Sequence, residues 1–307
     1  MALYRLKHVD AFTNTPFKGN PAGVLVDARG LREDVMQMIA SEMNLSETAF
    51  ILPPSRKDAD IRIRWFTPTE EVPLCGHATI AGFHALAEEG LAGMSSNGQH
   101  YFRLETRSGI LRVKVEKNFK GISVEFDLPI PKFRKLKVPP ADVLKALGIQ
   151  RRDLIPGMPI VKDLYLYIPV QRLSMLRKIR PQFDDLGSLL RRKKLMGVCV
   201  FSLQTVDAAS AVHSRFFAPS FGINEDPVTG SANGPLGVYL ELFGSRQGRR
   251  IPVRDLPDGR REYVGEQGDI IGRPGRVRVR VERKNGGVER VSITGEAVTV
   301  CTATMTM

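Results

Sequence analysis

Two blocks recur in the same order along the chain, and any fold for this sequence has to accommodate both copies. Arg64-Trp65-Phe66-Thr67-Pro68 leads through a loop to Gly76-His77-Ala78 and a helical stretch. Arg215-Phe216-Phe217-Ala218-Pro219 leads through a longer loop to Gly230-Ser231-Ala232 and another. Each copy is followed by an alternating strand that opens on glycine: Gly109-Ile110-Leu111-Arg112-Val113-Lys114-Val115-Glu116 and Gly275-Arg276-Val277-Arg278-Val279-Arg280-Val281-Glu282. Ordered repetition of this kind indicates a duplicated domain, not a short-period solenoid. A chain of 307 residues has room for two domains that each bury a core. The join is expected near residues 127–140, where Pro129, Pro131, Pro139 and Pro140 accompany several lysines. The expected division is an N-terminal domain over 1–128, with the C-terminal strand 297–307 as a candidate addition to it, and a C-terminal domain over 129–296.

Local periodicity fills in the first copy. Val24–Val26 is a short apolar run, and Leu31, Val35, Met38 and Ile39 have helical spacing, with Glu33 and Asp34 placed for a first turn and Asn44 for a stop. Thr48–Leu52 reads as a strand halted by Pro53 and Pro54. Ile61, Ile63 and Trp65 alternate with arginines, as on a half-buried strand. Ala78–Leu86 reads as a helix whose Ala and Gly faces suit close burial against a sheet. Val143, Leu144 and Leu147 resume helical spacing up to Gly148, and residues 171–198 read as a basic helical connection.

The composition excludes several classes. Hydrophobic residues make up 42% and charged residues 25%, so the chain is globular and not disordered. The three cysteines, Cys75, Cys199 and Cys301, form no CxxC or Cys/His spacing, so neither a zinc site nor a disulfide framework is expected. Arg5, Lys7, His8 and Asp10 stand where a signal peptide would be apolar, and no apolar run is long enough to span a bilayer; a cytoplasmic protein without membrane contact is expected. The net charge of +12 admits an anionic substrate, a nucleic-acid partner or a solvated basic surface. The basic residues Arg62, Arg64, Arg112, Lys114, Arg276, Arg278 and Arg280 alternate with apolar ones and read as outer strand faces. The tight clusters, Arg191–Lys194 and Arg249 with Arg250, are short and adjoin no nucleic-acid signature, so nucleic acid is not the expected partner.

The chemistry-bearing residues gather at the two repeats. Both glycine-led helices begin with backbone N–H groups that suit a carboxylate or phosphate. If a pseudo-twofold axis relates the halves, Gly76-His77 and Gly230-Ser231 form a paired anion site; taken singly, each glycine only begins a tightly packed helix. A neutral His77 at such a start donates or accepts a hydrogen bond to a substrate, or merely caps the helix. Glu47, in Asn44-Leu45-Ser46-Glu47-Thr48-Ala49-Phe50, is a carboxylate entering an apolar strand, a candidate general base or acid against the alternative of a surface turn. Glu225 and Asp226 lie beside the second helix start, which suits a substrate with an amine as well as a carboxylate. There is no GxxxxGK[ST] loop, no GxSxG, and Gly19-Asn20-Pro21 is a turn and not a dinucleotide fingerprint. A site that transfers protons without cofactor or metal is expected.

These motifs together resemble the PhzF-like family of phenazine biosynthesis isomerases. The stretches that carry the resemblance are Val9-Asp10-Ala11-Phe12, Pro16-Phe17-Lys18-Gly19-Asn20-Pro21, Asn44–Phe50, Phe66-Thr67-Pro68, Pro73-Leu74-Cys75-Gly76-His77-Ala78-Thr79 and Glu225-Asp226-Pro227-Val228-Thr229-Gly230-Ser231-Ala232, in the family order. Residues 140–210 match less distinctly. The resemblance implies the α+β fold of diaminopimelate epimerase: two similar pseudo-symmetric domains, each a mixed sheet wrapped around a central helix, with the active site in the cleft between them. It implies a homodimer, no cofactor, a small-molecule substrate, Glu47 as the proton carrier, and Gly76, His77, Asp226, Gly230 and Ser231 around the substrate. The epimerase branch places a cysteine before each glycine-led helix; here Cys75 holds the first place and Thr229 the second. A threonine hydroxyl is too weak an acid and base to replace a thiol unaided. The expected activity is therefore isomerisation of a carboxylate-bearing substrate. The alternatives are an amino-acid epimerase or racemase with Cys75 as one acid–base group, and a non-catalytic basic binding protein.

Overall fold

The structure, a computed structural model, describes residues 3–244 and 251–306. The basic pair Arg249 and Arg250 lies outside the described residues. The chain divides into two compact units, Met1–Asp127 with Ile293–Met307, and Leu128–Ser292.

In the first unit the order is β1 (Leu3–Ala11), β2 (Asn20–Leu25), α1 (Glu33–Met43), β3 (Thr48–Leu52), β4 (Ile61–Phe66), β5 (Glu71–Val72), α2 (Gly76–Glu88), β6 (Gly98–Thr106), β7 (Gly109–Asn118) and β8 (Gly121–Leu128). In the second, β9 (Arg134–Lys135), α3 (Ala141–Leu147), β10 (Val161–Lys162), β11 (Tyr165–Pro169), α4 (Leu173–Lys178), α5 (Phe183–Arg192), β12 (Gly197–Ser202), β13 (Val212–Ala218), β14 (Ile223–Asp226), α6 (Gly230–Phe243), β15 (Arg254–Asp255), β16 (Arg261–Gln267) and β17 (Gly275–Lys284) follow. The last strand, β18 (Gly287–Thr306), begins in the second unit, and its residues from Ala297 pair antiparallel with β1 in the first.

Strand pairing follows one plan in each unit. In the first, β1 is antiparallel to β2, β2 parallel to β3, β3 antiparallel to β4, β4 antiparallel to β5 and parallel to β6, and β6 antiparallel to β7. In the second, β10 is antiparallel to β11, β11 parallel to β12, β12 antiparallel to β13, β13 antiparallel to β14 and parallel to β16, and β16 antiparallel to β17.

The helices α2 and α6 are buried on nearly every face. Their small residues permit it: Ala78, Ala81, Gly82 and Ala85 let α2 lie against β1, β2 and β3, while Gly234 and Gly237 serve α6 against β16 and β17. A Cβ at Gly237 would stand 2.5 Å from Val279 Cγ1, so this contact needs glycine. Amphipathic helices supply the other core layers. Met36 and Ile39 of α1 pack with Leu25, Phe50 and Phe66; Leu144, Leu147, Leu176, Leu186 and Leu190 of α3, α4 and α5 pack with Ile168, Val198 and Phe217. Asn44 (φ 48°) and Gly148 (φ 70°) end α1 and α3 in the left-handed conformation, as their residue types suggest.

The arginines that alternate along the strands are not all solvated. Arg64 is only 13% exposed and forms a bidentate pair with Glu71 at 2.8 and 2.7 Å. Arg215, 5% exposed, does the same with Glu225 at 2.8 and 2.7 Å. Each guanidinium also lies over a phenylalanine two residues on: Phe66 at 5.1 Å and Phe217 at 4.9 Å. Arg280 pairs with Glu262 at 2.8 Å. A second element is common to the two units. Glu105 of β6 accepts the backbone N–H groups of Ser55 and Arg56, and Glu266 of β16 accepts those of Val206 and Asp207. Burial works to raise the Glu266 carboxyl, but bonds from His213, Val206 and Asp207 and the charge of Arg276 outweigh it and bring it to about 2. Among the described residues no helix is long and apolar enough to cross a membrane.

Candidate active site

In the first unit, Glu47, Cys75 and His77 come together. Asn44 turns the chain out of α1, and the Glu47 carbonyl accepts the Gly23 N–H at 3.1 Å, which fixes Glu47 at the mouth of β3. Gly23 is required there, because a Cβ would stand 2.8 Å from Thr48 Oγ1. His77 is the second residue of α2. Its Nε2 is 3.2 Å from Glu47 Oε2 and 3.2 Å from Ser46 Oγ; its Nδ1 accepts from Asn20 Nδ2 at 3.3 Å. With Nδ1 as acceptor, the ring proton lies on Nε2, whose hydrogen-bond partner is the Ser46 hydroxyl, with the Glu47 carboxylate alongside but not aligned with it. Glu47 Oε2 is buried without an aligned hydrogen bond, so a lone pair remains on the candidate base. Cys75 precedes the helix in extended conformation, with Sγ 3.5 Å from His77 Nδ1.

In the second unit, Asp226, Thr229, Gly230 and Ser231 surround the start of α6. The Thr229 hydroxyl donates to the Asp226 carboxylate. Gln267, at the end of β16, ties the turn together. Its Nε2 donates to Asp226 O at 2.8 Å and to Thr229 Oγ1 at 3.0 Å, while its Oε1 accepts from Thr229 N at 3.1 Å and from Asn233 Nδ2 at 2.8 Å. The Ser231 hydroxyl is 2.9 Å from the Tyr165 hydroxyl. The two arrangements correspond: the first residue of β2 (Asn20) meets the second residue of α2 (His77), and the first residue of β11 (Tyr165) meets the second residue of α6 (Ser231).

Neither helix caps its own first turn with a side chain. Thr229 is a residue type that normally would, but its hydroxyl is drawn to Asp226. The first-turn N–H groups of Gly76 and Gly230 thus carry the partial positive charge of a helix start without a side-chain partner to neutralise it.

Asn20, Ser46, Tyr165 and Gln267 escaped the sequence reading as site residues. Asn20 lay in a stretch read as a turn, and Ser46 stood beside Glu47 with nothing to mark it. Tyr165 and Gln267 reach the α6 start by tertiary contact, 66 and 38 residues from their partners Ser231 and Thr229. No fixed spacing leads back to Asn20 and Tyr165 from the helix starts: Asn20 lies 56 positions before Gly76 and Tyr165 lies 65 before Gly230. His84 and His213 do not take part in either cluster.

The sequence profile of the phenazine biosynthesis-like protein family PhzC-PhzF matches residues 9–303. The chain is 38% identical to an uncharacterized isomerase of Clostridium acetobutylicum, with 97% of this chain and 96% of that one covered. It is 32% identical to the trans-2,3-dihydro-3-hydroxyanthranilate isomerase of Pseudomonas chlororaphis, with 95% of each covered. The crystal structure of a Bacillus anthracis phenazine biosynthesis protein of the PhzF family superposes with a TM-score of 0.85 at 31% identity over 100% of both chains. A hydroxyproline epimerase from Agrobacterium vitis shares the fold at a TM-score of 0.62 and 12% identity, with 99% of this chain and 91% of that one covered.

Proposed function

The chain belongs to the phenazine biosynthesis-like PhzC-PhzF family and is an isomerase of that family, and from that premise we propose that it moves a proton on a small carboxylate-bearing substrate, one that also carries an amino group, by general acid–base catalysis without a cofactor. Glu47 takes a proton from carbon through its unbonded Oε2 lone pair and returns it to another atom of the same molecule. The Nε2–H of His77 beside it supports the negative charge of Glu47 before transfer and orients the substrate afterwards. Asp226 recognises the amino group. The first-turn N–H groups at Gly76 and Gly230, with the Ser231 hydroxyl, bind the carboxylate. Proton transfer by a placed carboxylate contributes roughly 10²–10⁴-fold; orientation of the substrate supplies much of the remainder.

The observation that carries this reading is the buried contact between Glu47 and His77. The shared strand plan, the Arg64–Glu71 and Arg215–Glu225 pairs and the matching helix starts support the reading of the two units as pseudo-symmetric copies of one domain, each with its sheet about a central helix. A homodimer is part of the same proposal, and light scattering of the eluted peak tests it.

The experiment follows hydrogen exchange by NMR in D2O, first with trans-2,3-dihydro-3-hydroxyanthranilate and then with a panel of amino and hydroxy carboxylates. The wild-type protein incorporates solvent deuterium or shifts a double bond, and Glu47→Gln is slower by at least ~10²-fold. Equal rates in the two proteins refute Glu47 as the base.

The position of Cys75 Sγ, 3.5 Å from His77 Nδ1, favours one second reading. In it the thiol and Glu47 act as opposed acid and base on an amino-acid α-carbon, and the product is the other enantiomer. Loss of optical rotation together with α-deuteration, abolished by Cys75→Ala, identifies that case.

A further inference from the structure

Gly19-Asn20-Pro21 reads in the sequence as a turn, and in the fold that turn delivers a side chain to His77. Gly19 (φ +60°) passes so close to β1 that a Cβ would stand 2.1 Å from Ala11 O. Pro21 holds the residue before it in extended backbone, and Asn20 enters β2 opposite Ala11. Asn20 is fully buried, and its Nδ2 lies 3.3 Å from Nδ1 of His77 in the first turn of α2. The other ring nitrogen, Nε2, meets the Ser46 hydroxyl and the Glu47 carboxylate, each at 3.2 Å. Cys75 Sγ is nearer Nδ1, at 3.5 Å, than Nε2, at 4.0 Å. Glu47 is thus the titratable group at one edge of the ring and Cys75 at the other.

A carboxylate this close ordinarily draws a second proton onto an imidazole. Two features oppose it here. The start of α2 disfavours a cation. Asn20 meets Nδ1 with an amide NH₂, so a proton on Nδ1 would face another donor, and a buried N–H left without an acceptor is costly. We propose that Asn20 is a positioning residue for the reaction: its amide keeps His77 neutral, with the single ring proton on Nε2, so that Glu47 stands beside an N–H dipole and not beside a full positive charge. An imidazolium would hold the carboxylate in an ion pair and weaken it as a base; the neutral ring leaves it basic enough to take a proton from carbon. Asn20 and Ser46, on opposite nitrogens, also fix the plane of the ring. The placement of the ring proton stands on the geometry; its effect on turnover rests on the role proposed for Glu47.

The first arm of the test needs no substrate. The protein, labelled with ¹⁵N in its five histidines, is observed by two-bond proton–nitrogen NMR at neutral pH, and His77 is identified by the signals lost in His77→Gln. The wild-type ring is expected to show a protonated Nε2 and a bare Nδ1. Asn20→Asp has the same shape but offers only acceptor oxygens, so both ring nitrogens are expected to carry protons. Cys75→Ala is expected to leave the ring as in wild type. Circular dichroism confirms that each variant is folded; if Asn20→Asp is not, the wild-type and Cys75→Ala spectra decide. A doubly protonated or Nδ1-protonated ring in wild type, a neutral ring in Asn20→Asp, or a changed ring in Cys75→Ala overturns the assignment to Asn20. The second arm follows Glu47-dependent deuterium exchange. Asn20→Asp is expected to be slower by at least ~10-fold at neutral pH and to recover as rising pH removes the second ring proton, a recovery that a merely structural defect would not give. Exchange at the wild-type rate beside a doubly protonated ring overturns the link from Asn20 to the base. If Glu47→Gln exchanges as fast as wild type, the function proposed for Glu47 falls, and the spectra alone still decide what Asn20 does to the ring.

Discussion

His84 offers a quantitative test of how α2 is buried. Its side chain is 9% exposed, neither ring nitrogen has a hydrogen-bond partner, and the charges that act on it are Glu88, with Oε1 4.0 Å from Nε2, and Lys7, itself tied to Glu88 and Glu89. Burial, opposed by Glu88 and assisted by Lys7, brings its pKa from 6.5 to about 4. Between those values the unfolded chain holds a proton that the folded protein refuses. The stability this supplies is complete above pH 6.5 and is lost as the pH falls toward about 4. At about 1.4 kcal/mol per pH unit, the protein is expected to be roughly 2 kcal/mol less stable at pH 5 than at pH 7.5 through this group alone. The carboxylates of Glu71, Glu88, Glu105 and Glu266, all held below the usual range, act lower, below about pH 4.5. Urea unfolding at the two pH values measures the difference in wild type and in His84→Leu. Leucine has similar volume and no orphaned nitrogens, so the variant should be no less stable at pH 7.5 and should lose most of the pH dependence. Equal slopes in the two proteins would refute the argument that an uncharged, unpartnered imidazole fills this part of α2.

Three further outcomes follow from the same geometry. Glu225→Gln leaves the buried Arg215 guanidinium half-paired with its charge uncompensated and should cost about 3–5 kcal/mol by thermal or denaturant unfolding, well beyond what an exposed ion pair contributes. Gln267→Leu removes the amide that holds Asp226, Thr229 and Asn233 in register; a fall in kcat/KM should accompany a loss of about 1–3 kcal/mol in stability, while Gln267→Glu restores the Thr229 N–H acceptor and recovers part of both. Gly268→Ala forces a side chain at φ +86° to within 2.7 Å of Pro227 O and 2.1 Å of Arg273 O, and should destabilise the second unit by more than about 1 kcal/mol in denaturant melts.

Much of the local structure was legible because it is written at short range. The period-two alternation of Ile61, Ile63 and Trp65 and of the valines in 275–281 became β4 and β17, and Asn44 and Gly148 stop their helices through backbone conformations their residue types favour. Glu47, Cys75 and His77 were legible as candidates for the same reason, standing at an abrupt strand entry and a helix start. Their mutual contact was not, since it depends on β2 carrying Gly23 and Asn20 to the same place. Arg64 of β4 misled, since alternation reports only which face a residue is on. The acids that withdraw Arg64 and Arg215 from water come from β5 and β14, strands of two and four residues that leave no periodic trace. The pairing of β1 with residues 297–306 joins opposite ends of the chain and has no local signal at all.

The uncapped starts of α2 and α6 have a practical consequence for finding the physiological substrate. Neither helix start has a side-chain cap for its first-turn N–H groups, and an anion that binds at either start adds its binding energy to the folded state only. A ligand at a hundred times its dissociation constant raises stability by about 2.7 kcal/mol, which in a protein of this size moves the melting temperature by several degrees. A melting screen of carboxylate metabolites against the protein and Glu47→Gln therefore ranks compounds by recognition, before any product has been identified and without assuming which bond is rearranged.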